Sequence, residues 1–111
     1  MIERKLREYL ETKLEYPVTF EVQKNPPARY YILEKTGSAL ENYIYSSTFA
    51  LQSYSDRMTD SMEMNEAAKA AMLSAMELDA VCSVTLNSDY NYTDTTTKKY
   101  RYQAVFDVVH Y

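Results

Sequence analysis

One glycine, Gly37, is all that the chain holds, beside three prolines, one cysteine, one histidine and no tryptophan. A single glycine excludes phosphate-cradling loops and dinucleotide fingerprints, which need several glycines for close backbone approach and positive φ. One cysteine, Cys82, excludes an internal disulfide, and with a lone histidine it excludes a clustered Cys/His zinc site. Basic charge is not in excess either: 12 Lys and Arg stand against 16 Asp and Glu, a net charge of −4. A sequence-specific nucleic-acid partner is therefore not expected, because phosphate neutralisation needs a basic face. No apolar run approaches the ~18 residues of a membrane helix, so a membrane partner is not expected. Met1–Leu10 (MIERKLREYL) carries charges where a secretory signal must stay apolar. A free thiol without an export signal points to a reducing cytosol.

What is present fits one domain of 111 residues. Ile2, Leu6, Tyr9, Leu10 and Leu14 form the stripe of an amphipathic helix over 2–15, ended by Pro17. Residues 18–22 (VTFEV) alternate as a half-buried strand, and Asn25-Pro26-Pro27 breaks it. Residues 30–35 (YYILEK) predict a second strand, with Thr36-Gly37-Ser38 as its turn. A long third strand is expected over 42–54, with Tyr43, Tyr45, Phe49 and Leu51 on one face and Ser47 between them. Asp60 predicts a helix N-cap, and Glu63 completes a capping box. On that helix, to residue 78, Met64, Ala68, Ala71, Met72, Ala75 and Leu78 share a face, and the alanines predict close approach to a sheet. Lys69 is expected on its solvated side.

Two more strands are expected over 81–92 and 99–111, joined by a polar link at 93–98. In the first, Cys82, Val84 and Leu86 should lie on one side, followed there by Ser88, Tyr90 and Tyr92. In the second, Tyr100, Tyr102, Ala104, Phe106, Val108 and His110 face one way and Val105, Val109 and Tyr111 the other. Apolar residues on both sides predict a central or partner-covered strand. The order α-β-β-β-α-β-β predicts an α+β domain with two helices on one face of a mostly antiparallel sheet.

Chemistry is sparse. His110, the only histidine, reads as structural, and Cys82 as a small buried hydrophobe rather than a nucleophile. Residues 57–79 hold two basic and five acidic residues, and Asp60, Glu63, Glu66, Glu77 and Asp79 read as a solvated helix face rather than a metal site. Asp89–Asp94 lacks the glycine and distal glutamate of an EF-hand loop. No catalytic residue, cofactor or metal is expected. The 12 tyrosines beside three phenylalanines are the informative excess. Tyrosine suits protein contacts, where the ring is buried while the hydroxyl stays wet or bonded. Tyr90, Tyr92, Tyr100 and Tyr102 are the interface candidates, with Tyr43 and Tyr45 next.

The run LNSDYNYTDTTTKKYRYQAVFDVVHY over 86–111 resembles the ending of small proteins from tail modules of Firmicutes phages and prophages. The order of elements along the whole chain is similar to the tail terminator or tail completion family of long-tailed phages. That resemblance implies a structural protein without an active site, located at the head-proximal end of the virion tail and assembled in the host cytoplasm. It implies a homohexameric ring that caps the tail tube, with the tube protein and the head–tail connector as partners. A net negative ring would let DNA pass without sticking. Another head–tail adaptor or stopper of the same module, or a cellular α+β enzyme or binding module, are the alternative readings.

Overall fold

The structure, a computed structural model, describes residues 1–93 and 99–111, so most of the expected polar link lies outside the described residues. Among the described residues the order is α1 (Ile2–Lys13), β1 (Val18–Thr19), β2 (Tyr30–Glu41), β3 (Ile44–Ser55), α2 (Met58–Ser74), β4 (Val81–Asn91) and β5 (Tyr100–His110). A single 3-10 turn, Ala75–Glu77, extends α2. The sheet runs β1-β2-β3-β5-β4, antiparallel throughout except that β1 pairs parallel with β2. The expected α+β order and two-helix layer are present, and β5 is the inner strand that its two-sided apolar pattern implied.

Both helices press on one face. Leu6 and Leu10 of α1 and Met64, Ala68, Ala71, Met72 and Ala75 join one core with Tyr31, Leu33, Phe49, Leu51, Val84, Ala104, Phe106 and Val108. Each alanine keeps its helix turn near the strands, where a longer side chain would not fit at native packing density. Tyr31 lies wholly inside and donates its hydroxyl to the Met64 carbonyl at 3.2 Å. Lys69 is not on a solvated side: its ammonium reaches Asp89 and Glu66, each at 2.9 Å.

Several boundaries differ from those the pattern predicts, each for a local reason. The strand after α1 stops at Thr19, whose hydroxyl donates to the Glu21 carbonyl, and Phe20 and Val22 are exposed. Gly37 makes no turn; β2 runs through it with an irregular register between Lys35 and Gly37. The reversal comes instead at Asn42 and Tyr43, with φ of 51° and 66°, so Tyr43 belongs to the turn and not to the face of β3. Two consecutive residues of positive φ match the twist of antiparallel strands in a two-residue hairpin. Asp60 is not the N-cap of α2. The helix begins earlier, behind Arg57, and Asp60 in its first turn pairs with Arg29 at 2.9 Å.

Strand β4 departs most. One extra residue sits opposite β5 between Val81 and Ser83, and another between Leu86 and Ser88. Each bulge shifts the alternation of side chains by one. Cys82 is the extra residue of the first and is exposed, not buried as expected. After the second, Ser88 and Tyr90 lie opposite Val105 and Gln103, on the face away from Val84 and Leu86. These bulges also twist and interrupt an edge strand that would otherwise invite pairing.

Candidate interaction surface

The second bulge in β4 assembles a polar and aromatic platform on the sheet face that neither helix covers. Across β3, β5 and β4 the register sets Gln52 beside Gln103, Tyr54 beside Arg101, and Tyr90 beside Gln103. Six side chains there close a ring. The Arg101 Nη1 donates to the Tyr54 hydroxyl at 2.8 Å, and that hydroxyl donates to Gln52 Oε1 at 3.0 Å. Gln52 Nε2 donates to Gln103 Oε1 at 2.6 Å, and Gln103 Nε2 donates to the Tyr90 hydroxyl at 2.6 Å. The Tyr90 ring meets Tyr92 edge-on at 5.9 Å, and the Arg101 guanidinium lies over Tyr92. Tyr54 also stacks on Tyr30 at 4.7 Å, and with Ile32 they make a small second cluster of buried residues.

Such a network holds Tyr90 and Tyr92 in place although each residue is nearly half exposed. A ring fixed before contact loses little side-chain freedom on binding. Tyr100 and Tyr102 lie on the other, helix-bearing face of β5, in phase with Ala104 and Phe106. The bulge therefore separates the four hairpin tyrosines into two pairs on opposite faces. Sequence alternation missed that division because nothing in the run Leu86-Asn87-Ser88 distinguishes a bulge from a regular strand.

The other two candidates mark the far end of the sheet. Residues 34–46 of the β2–β3 hairpin are exposed on both faces and form an arm. The molecule is correspondingly long, 44 × 25 × 24 Å. Leu40, Tyr43, Ile44 and Tyr45 carry the exposed apolar surface near its tip, and Tyr43 is 91% exposed. Tyr45 stacks on His110 at 5.3 Å. His110 is buried, its Nε2 within 2.8 Å of the Ser47 hydroxyl and its Nδ1 within 3.1 Å of the Tyr111 carbonyl. An Nδ1–H donated to that carbonyl leaves Nε2 to accept from Ser47. Ser47 and His110 border a 280 Å³ cavity with Glu3, Lys5 and Lys35, and Lys35 pairs with Glu3 at 3.1 Å. The Ser47–His110 pair satisfies two buried polar groups between the arm and the core.

Among the described residues, no group of three His, Cys, Asp or Glu side chains is placed to hold a metal ion. No described helix is long and apolar enough to cross a membrane. Neither a protein-family model nor a curated protein matches the chain.

Proposed function

We propose that this chain is a structural assembly protein, a tail terminator or tail completion protein of a long-tailed phage. Its copies form a ring, a hexamer, that caps the tail tube and meets the head–tail connector, with no catalytic step of its own. The resemblance of its ending and element order to that family supports the specific assignment. Tyr43 is the observation that carries the assembly reading. A bulky residue at φ 66° sits where glycine is favoured, and it is 91% exposed. It costs conformational energy and returns little packing within the monomer, which fits a side chain kept for a partner. Leu40, Ile44 and Tyr45 extend the same apolar tip, and an exposed cluster of this kind favours association. An arm at one end of the sheet and a fixed tyrosine platform at the other provide two unlike surfaces. Unlike surfaces on one subunit are what a head-to-tail, ring-closing contact requires.

Electron microscopy of the purified protein mixed with its cognate tail tubes tests the reading. Ring-shaped density closing one tube end, and tubes that stop growing, is the expected result. Bare tube ends at saturating protein would overturn it. Binding at the connector without any effect on tube growth would move the chain to an adaptor or stopper role.

A further inference from the structure

A further cavity among the described residues lies on the helix-bearing side of the sheet, away from both surfaces. It is a 430 Å³ groove between α2, β4 and β5, bordered by Thr59, Met62, Glu63, Asn65, Glu66, Asp89 and Tyr102. Three carboxylates face one ammonium there, since Lys69 is shared between Glu66 and Asp89 at 2.9 Å each. The groove therefore keeps a charge of −2. Hydrogen bonding to Lys69 holds the Asp89 carboxyl below its usual range, and the bond to Asp89 raises Lys69. Both stay charged at neutral pH.

Asn65 supplies an independent sign of a missing partner. It is 2% exposed, and its Nδ2 donates to Asp89 Oδ2 at 2.9 Å. Its Oδ1 has no hydrogen-bond partner. A buried carbonyl left unpaired is costly, and native proteins leave few of them. The Asn65 amide is held by Asp89, so the site lacks a donor rather than another acceptor.

We propose that this groove receives a guanidinium, the arginine side chain of a partner protein. A planar cation with five N–H donors can serve the Asn65 carbonyl and the Glu63 carboxylate together. Its flat face suits the Tyr102 ring, and its methylene stem suits Met62. An ammonium is more strongly hydrated and lacks the planar fork. A divalent cation would need several free oxygens, and Asp89 Oδ2 already accepts from Asn65 and Lys69. The proposal rests on the groove alone and stands whether or not the chain belongs to a phage tail.

The test is an NMR titration of the full chain with N-acetyl-arginine amide, beside N-acetyl-lysine amide and magnesium chloride. The arginine probe should shift the Asn65 side-chain amide and the Tyr102 signals, saturating in the low millimolar range. Glu63→Gln with Glu66→Gln, both at exposed positions, should weaken it about tenfold or more. Asn65→Leu should weaken it as well; if that variant does not fold, the glutamate pair decides. Absent shifts, an equal response to the lysine probe or magnesium, or an unchanged affinity in the double variant would each overturn the proposal.

Discussion

The Arg101 guanidinium sits 4.4 Å from the centre of the Tyr92 ring while its Nη1 donates to the Tyr54 hydroxyl at 2.8 Å. One side chain thereby ties β3 to the end of β4 across β5. Lysine can approach either partner but cannot lie flat on one ring and bond the other hydroxyl together. Arg101→Lys should lower stability by about 1 kcal/mol, read by urea unfolding. It should also loosen Tyr92, seen as faster ring flipping by NMR. An unchanged ring in the lysine variant would mean that Tyr92 is held by Tyr90 alone.

Tyr43→Gly separates folding from assembly. Glycine relieves the left-handed conformation at φ 66°, worth about 1 kcal/mol, partly offset by the greater freedom of the unfolded chain. The monomer should be as stable as the wild type or more so in urea, while native mass spectra show fewer rings. Stable rings of normal abundance would remove Tyr43 from the interface.

Alanine at 71 sits against the sheet in the core, whereas Ala67 on the same helix is exposed. Ala71→Leu should destabilise by about 1–3 kcal/mol through overpacking. Ala67→Leu should stay within about 0.5 kcal/mol. Lys69→Leu is no neutral control, because it strips the Asp89 carboxylate of its ammonium. Thermal melts of the three variants give the order directly.

Burial pushes the Tyr31 phenol well above its ordinary pKa, and burial raises Tyr30 as well. Both groups hold their protons more tightly in the folded chain than in the unfolded one. Their stabilisation is complete below about pH 10, the unfolded value, and is lost as pH rises past it. Tyr31→Phe should flatten that alkaline decline without abolishing it, leaving the part due to Tyr30. The same variant should lose about 1 kcal/mol at neutral pH with the bond to the Met64 carbonyl. Urea unfolding between pH 8 and 11 measures both effects.

The interface candidates were legible as residue types but not as surfaces. An excess of tyrosine is visible in any composition, and Tyr43 and Tyr45 do lie near an exposed tip. Their arm was not visible, because Thr36-Gly37-Ser38 reads as a turn while β2 passes straight through it. Asn42 is the residue that tolerates the left-handed conformation, and Tyr43 beside it carries no turn signal at all. The groove around Asn65 could not be read either, since Asp89 is far from it in sequence and reaches it only through the β4 register.

Periodicity alone determined the α+β class, the buried face of α2 and the inner place of β5, because side-chain spacing of 3.6 or 2 reports burial without reference to partners. Tertiary structure alone decided which face each residue of β4 presents. A bulge is a property of pairing: one extra residue at Cys82 and another at Asn87 are set by where β5 offers its amides and carbonyls, not by the side chains of β4. That register exposes Cys82, turns Tyr90 away from Tyr102, and brings Asp89 beneath Asn65 and Lys69. Local sequence could specify the strands, but only their pairing could divide the tyrosines between two surfaces.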